Sequence, residues 1–341
     1  MGKKLRNTAE VLPTHTPELF RTAVRRAAEL LRAGELVALP TETVYGLAAN
    51  ALDADAVRRI FEVKGRPGHN PIIVHVASLD MARTCVAAWP PMATKLARAF
   101  WPGPLTLVLP RAQQIPDVVT AGGETVGVRW PSHPLIQAVI AECGFPLAAP
   151  SANLSNQVSP TSAAHVRKGL GDRISLIVDG GQAQVGIEST VLDVTGSLPR
   201  LLRPGMIHEQ ALLAVTAQLA VGSSSDASVL RSPGLLRKHY SPKAPLMVLS
   251  WKETAQLKTI CAERGVQPAG VHVVAHTKIP CVEDFGRVSV IPHDAIAFAR
   301  AIYAELHECD EAGAKLIIVE SPPEAPEWRA IIDRLHRAAA T

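Results

Sequence analysis

The chain has 341 residues, too long for one ordinary core, so two domains are expected. A hydrophobic content of 47% against 19% charged residues excludes a disordered chain, and no apolar run reaches the length of a membrane span. The net charge of +4, with only 4% aromatic residues, is too weak for a protein that coats nucleic acid; the surplus of cations lies within residues 1–213, where it suits a local pocket for an anionic small molecule.

In chain order, the first signal is a helix over 16–33. Thr16 is a good N-cap, Pro17 suits the first turn, Gly34 ends it, and Leu19, Phe20, Val24, Ala27, Ala28 and Leu31 share one apolar face. The basic segment ahead of it has no apolar h-region, so no signal peptide is read. "ELVALP" follows as a buried strand, and "DADAVRRIFEVKG" as a helix from an Asp cap to Gly65. "PIIVHV", "PLTLVLP", "TVGVRW", "FPLAAP", "ISLIVD" and "STVLDV" read as strands, with helices near 90–100, 134–143 and 161–169. Strands mixed with helices give an α/β or α+β sheet.

Residues 221–244, "VGSSSDASVLRSPGLLRKHYSPKA", break the pattern. The first half is Ser-rich; the second carries Arg231, Arg237, Lys238, His239 and Tyr240 between prolines. Beyond it "APLMVLS", "VHVVAH", "RVSVIP" and "KLIIVE" alternate with helices near 252–263, 294–311 and 327–338, a small second α/β domain. The expected division is a catalytic domain over 1–215, a linker or lid over 216–244 and a C-terminal domain over 245–341. Cys85, Cys143, Cys261, Cys281 and Cys309 are scattered and form no CxxC, which argues against disulfides and zinc and fits a reducing cytoplasm.

No P-loop, no G-x-G-x-x-G opening a helix after a strand and no protein-kinase set is present. Several segments are instead too polar for their apolar settings. In "LPTETVYGLAANA" a strand end is followed by Thr41, Glu42, Thr43 and Tyr45; these are ligand groups beyond a strand or a turn that caps the next element. In "KGRPGHNPIIVHV", Lys64 and Arg66 can meet a polyphosphate from two directions, or complement a helix C-terminus. There Asn70 can read an oxygen, and His75 interrupts a strand whose plainer reading makes it a hydrogen-bonded core histidine. In "TVGVRWPSHP" Arg129 lies inside a strand and needs a carboxylate partner, from the protein or from a substrate. "AAPSANLSNQVSPTSAAHV" clusters Ser151, Asn153, Ser155, Asn156 and Ser159 ahead of a helix that can present N–H groups to an anion, or is merely capped by that loop. Ser189 enters the strand of "VGIESTVLDV", and Arg203 ends another before Pro-Gly.

The order of these segments is what speaks. "PTETVYGL", "KGRP..NP..VHV", "WPGPLTLVL", "GVRWPSHP", "APSAN.S", "GIESTVLD" and "LRPG" run across about residues 17–210, and "SPGLLRKHYSPKAPL" follows. The chain resembles the YrdC-domain family of L-threonylcarbamoyladenylate synthases in its longer, two-domain form. Leu235 stands where the linker motif often has methionine, a departure that touches no polar role.

The resemblance implies a YrdC-like twisted mixed sheet with a concave cationic site, plus a small Rossmann-like α/β C-terminal domain. It implies an ATP-, L-threonine- and bicarbonate-using enzyme that makes L-threonylcarbamoyl-AMP and pyrophosphate. The product is passed to the tRNA threonylcarbamoyl transferase machinery for modification beside the anticodon. By motif matching, threonine falls to Thr43, His75, Arg129, the main chain near Ala149, and Ser189. ATP falls to Lys64, Arg66, Asn70, Thr125, Ser151, Asn153, Ser159 and Arg203, with Tyr240 as a lid; Lys64 and Arg66 carry the catalytic charge. Mg²⁺ is expected to accompany ATP without a named protein ligand, and Glu42 and Glu188 are supporting carboxylates or structural ones. A monomer is expected, with no membrane association and no stable direct nucleic-acid binding. A carbamoyl-adenylating maturation factor would carry zinc-finger cysteine sets, which this sequence does not have. An RNA-binding or ribosome-associated module using the same concavity is the alternative from another class.

Overall fold

The structure is a computed structural model and describes residues 9–220 and 239–340. These fall into two compact units. Within the described residues, the first takes 9–155, 159–184 and 188–220; the second takes 156–158, 185–187 and 239–340.

The strands of the first unit are β1 (Glu10–Pro13), β2 (Val37–Leu39), β3 (Gly46–Asn50), β4 (Val74–His75), β5 (Leu105–Pro110), β6 (Thr125–Arg129), β7 (Leu147–Ala148), β8 (Leu176–Asp179), β9 (Thr190–Asp193) and β10 (Arg200–Arg203). The helices are α1 (Pro17–Arg32), α2 (Ala54–Lys64), α3 (Leu79–Thr84), α4 (Pro91–Phe100), α5 (Asp117–Thr120), α6 (Pro134–Cys143), α7 (Ala163–Leu170) and α8 (Glu209–Thr216). Among the described residues they build one mixed sheet in the order β1-β8-β2-β3-β7-β4-β6-β5-β9-β10.

Side-chain alternation explains why these strands read as continuous apolar runs. Val37 and Leu39 pack with α1 and α6, whereas Ala38 joins the core on the opposite face; Leu176 and Val178 divide from Ile177 in the same way. A sheet buried on both faces has no polar side to reveal its period. The α1/α6 cluster draws its strand residues from β2, β3, β7 and β8, and none from β4, β5, β6 or β9. On that second half, Val74, Val126, Val128, Leu105, Leu107 and Leu109 all face the other core. By alternation His75, Thr125, Arg129 and Thr106 stand on the face opposite it.

Local chemistry follows the sequence closely. Thr16 accepts the Leu19 N–H, and Asp53 accepts those of Asp55 and Ala56 at the start of α2. Gly65 ends α2 at φ 58°, a left-handed conformation suited to glycine, which sets Lys64 in the last turn and Arg66 just past it. Two stretches differ from expectation. "PIIVHV" shrinks to Val74–His75, because the Ile72 N–H goes to Val119 O and the Pro71 carbonyl is taken by Arg66. "GLAAN", read only as a small-residue run, is strand β3, where a Cβ on Gly46 would come within 3.3 Å of Ala149 Cβ. Small residues let β3 lie tightly against the segment after β7.

The second unit has strands β11 (Leu246–Leu249), β12 (Val271–Ala275), β13 (Arg287–Val290) and β14 (Leu316–Glu320), and helices α9 (Thr254–Glu263), α10 (Ala295–Glu311) and α11 (Arg329–Ala339). The strands are all parallel, in the order β11-β14-β12-β13. Val271, Val273 and Ala275 pack with Leu257 and Cys261 of α9. Most of the expected linker, with Arg231, Leu235, Arg237 and Lys238, lies outside the described residues. No helix among the described residues is long and apolar enough to cross a membrane.

Candidate active site

The site is built on the half of the sheet that the α1/α6 cluster leaves out. In the parallel pair β4–β6, His75 is the register partner of Arg129. In the antiparallel pair β5–β6, Leu107 partners Val128, so Thr106 stands opposite Arg129. Thr106 Oγ1 lies 2.8 Å from Ser189 Oγ, just ahead of β9. Arg203, at the end of β10, donates from Nε to the Ser189 carbonyl and from Nη2 to Ser189 Oγ, both at 3.1 Å. One polar row thus crosses neighbouring strands: His75, Arg129, Thr106, Ser189, Arg203. Ala149 follows β7, on the other flank of β4, where its N–H donates to Ile73 O.

Thr43 belongs to a turn organised by Thr41. Thr41 Oγ1 accepts the N–H groups of Thr43 and Val44, donates to the Val44 carbonyl and lies 2.9 Å from Thr43 Oγ1. Between them Glu42, 6% exposed, puts Oε1 2.8 Å from Arg129 Nη2. The contact is an ion pair without hydrogen-bond alignment, and neither Glu42 oxygen accepts a hydrogen bond. The protein itself therefore supplies the carboxylate that a strand arginine requires.

A second group gathers around the end of α2. Lys64 is 2% exposed, and its ammonium donates to the carbonyls of Ser151, at 2.5 Å, and Asn153. Arg66 donates to the carbonyls of Asn70 and Pro71. Both cations are buried on main-chain oxygens, which neither the polyphosphate nor the helix C-terminus reading of the sequence specified. Neither the oxygen nor the nitrogen of the Asn70 side-chain amide has a hydrogen-bond partner. Ser159 donates to Glu188 at 2.6 Å. Thr125 begins β6, on the same face as Arg129. The helix after Pro160 is capped by its own Ser162, which accepts the His165 N–H, as in the plainer reading of that loop.

Electrostatics follow from burial. Burial, and next the Arg129 cation, push His75 down to about 3, so its imidazole is neutral at ordinary pH, and its Nδ1 has no partner. Burial, with Arg66 second, holds Lys64 well below the usual lysine range. Tyr240 belongs to the second unit: at φ 63° its ring stacks on Tyr303 at 5.9 Å, with the Arg334 guanidinium 5.3 Å from its centroid.

Sequence reasoning missed Thr106. Its signal was present: one hydroxyl in "PLTLVL", on the face opposite three core leucines. Glu42 was noticed, but its pairing with Arg129 links residues far apart in the chain and needs the fold.

Comparison with known proteins decides the identity. The family Sua5_yciO_yrdC, described as telomere recombination, matches residues 29–205, and the family described as threonylcarbamoyl-AMP synthase, C-terminal domain, matches 206–340. The chain belongs to the threonylcarbamoyl-AMP synthases. A threonylcarbamoyl-AMP synthase of Bacillus subtilis is 41% identical, covering 98% of this chain and 96% of its own; that of Pyrococcus abyssi is 39% identical, covering 93% and 94%. The crystal structure of P. abyssi Sua5 complexed with L-threonine superposes with a TM-score of 0.88 at 37% identity, covering 96% of each chain. A threonylcarbamoyl-AMP synthase is an enzyme, a transferase of tRNA modification, so the RNA-binding module is not favoured.

Proposed function

We propose that this threonylcarbamoyl-AMP synthase joins L-threonine, bicarbonate or CO₂, and ATP into L-threonylcarbamoyl-AMP and pyrophosphate. The product is consumed by the machinery that transfers the threonylcarbamoyl group to tRNA, in the cytoplasm. The observation that carries this reading is the polar row His75–Arg129–Thr106–Ser189–Arg203, every member buried, on the half of the sheet that the α1/α6 cluster leaves out.

The chemistry asks for positioning more than for covalent help. The threonine amine adds to CO₂ and loses a proton, giving a carbamate. A carbamate oxygen attacks the α-phosphorus of ATP, and the bond to pyrophosphate breaks. Arg129 is the group for the threonine carboxylate, because a guanidinium offers a planar fork. His75, neutral, offers Nδ1 as an acceptor; Thr43, the main chain at Ala149 and Ser189 complete the threonine side. Lys64, Arg66, Asn70, Thr125, Ser151, Asn153, Ser159 and Arg203 make up the nucleotide side, and exclusion of water from the site protects the carbamate. Among the described residues no three His, Cys, Asp or Glu side chains converge on a metal position. Mg²⁺ would arrive with ATP and would supply charge neutralisation there; no protein ligand is named for it.

The test is pyrophosphate release from ATP and bicarbonate by the purified protein, with and without L-threonine. Release that needs both threonine and bicarbonate is expected. ATP turnover indifferent to threonine, or tight RNA binding without turnover, would sink the reading.

A further inference from the structure

Arg129 is held by one edge only. Its Nε donates to the Gly103 carbonyl at 3.4 Å, and its Nη2 lies 2.8 Å from Glu42 Oε1. Among the described residues neither Nη1 nor Nη2 makes an aligned hydrogen bond, so the edge they form keeps its donors despite the Glu42 charge beside Nη2. Glu42 itself cannot wander. The Thr41 hydroxyl pins the turn on both sides of it, and its side chain is buried beside the arginine.

We propose that Glu42 is a positioning residue for the threonine carboxylate: its charge, 2.8 Å from Nη2, holds the Arg129 guanidinium in place and leaves the donors of the Nη1–Nη2 edge for the substrate. The proposal rests on the reading of Arg129 as the carboxylate's partner. A guanidinium on a flexible stem must be fixed in plane before it can make two parallel hydrogen bonds, and a carboxylate fixed by its own turn does this. The geometry also explains a carboxylate in an anion-binding site. Its charge compensates the buried arginine while the site is empty of substrate, and because no N–H is aligned on it the guanidinium keeps its donors.

Steady-state kinetics on the full chain test this. Glu42→Ala should raise the threonine KM roughly tenfold or more while the ATP KM moves by less than about twofold. Glu42→Gln removes the charge but keeps the side chain's bulk and a dipole beside the guanidinium, so its threonine KM should lie between wild type and Glu42→Ala. If Glu42→Ala does not fold, Glu42→Gln carries the measurement, with a rise of roughly threefold confined to threonine. In a double-mutant cycle, Glu42→Ala should add nothing further on an Arg129→Ala background. An unchanged threonine KM in both Glu42 variants, or equal rises for threonine and ATP, overturns the positioning role. So does full additivity in the cycle. If Arg129→Ala itself spares the threonine KM, the carboxylate reading falls and this proposal with it; if Arg129→Ala raises it and neither Glu42 variant does, only the Glu42 role falls.

Discussion

Two buried carboxylates, one in each unit, show how differently the units use polar groups. Glu320, at the end of β14, accepts the N–H groups of His276, Thr277 and Lys278 and the Thr277 hydroxyl. Burial alone would raise its pKa, but these donors bring it down to about 2. Glu42, in the first unit, has one cation beside it and accepts no hydrogen bond. A carboxylate saturated by its own main chain is structural, tying the loop after β12 to β14. A carboxylate left open beside a half-engaged arginine belongs to a site.

The contrast can be broken most forcefully at Glu320. Glu320→Ala should cost about 3 kcal/mol of stability, since it strands three main-chain N–H groups at once, that of His276 buried and those of Thr277 and Lys278 partly so, as read by denaturant unfolding. The threonine KM of the folded fraction should stay put; a selective threonine defect would erase the distinction between the two carboxylates. A smaller effect is expected from Thr106→Val, which keeps the shape and removes the hydroxyl beside Ser189. One lost buried hydrogen bond of about 1 kcal/mol should lower the melting temperature by a few degrees and, by loosening Ser189, raise the threonine KM several-fold. A rise in the ATP KM alone would assign that bond to the nucleotide side.

The finest test uses pH. His75 is held neutral, with its folded pKa near 3 against an ordinary 6.5, so the unfolded chain binds the proton first as pH falls. Its contribution is fully present above about pH 6.5 and is lost progressively down to about 3. Glu320 also has a depressed pKa, so its contribution is present above its ordinary 4.5 and lost as pH falls toward about 2. Between pH 6.5 and 5, where Glu320 stays ionised in both states, His75→Asn should therefore flatten the fall in stability, whereas Glu320→Gln should flatten it only below about 4.5. An unaltered slope in His75→Asn would mean that another group carries the upper limb; the half-buried His133 and the buried His272, whose pKa values desolvation also lowers, are the groups that would do so.

Much of the fold was legible in the sequence because its signals are local. The Thr16 and Asp53 caps, the Gly65 stop and the four strands of the second unit all stand where residue pattern puts them. Strand β3 was not legible, since a run of Gly, Leu and Ala carries no alternation when both faces are buried. The length of β4 was hidden for another reason: the Ile72 N–H goes to Val119 of α5, distant in the chain, and the Pro71 carbonyl to the Arg66 side chain, bonds that no strand pattern announces. Among the candidate site residues, the polar types in apolar settings stood out one by one. His75 alone read as a core histidine, and the ordered set of motifs moved it to the substrate side.

By itself, the sequence determined which residues are chemically conspicuous, where the helices begin and end, and which family the ordered motifs resemble. Only the tertiary structure decided that Arg129 shares its charge with Glu42, that Thr106 joins Ser189 to the row, and that Lys64 rests on the carbonyls of Ser151 and Asn153. The physical reason is the register. Strands from distant parts of the chain lie side by side in this sheet, and which side chains become neighbours across it is fixed by strand order and pairing, quantities that no local pattern of residues encodes.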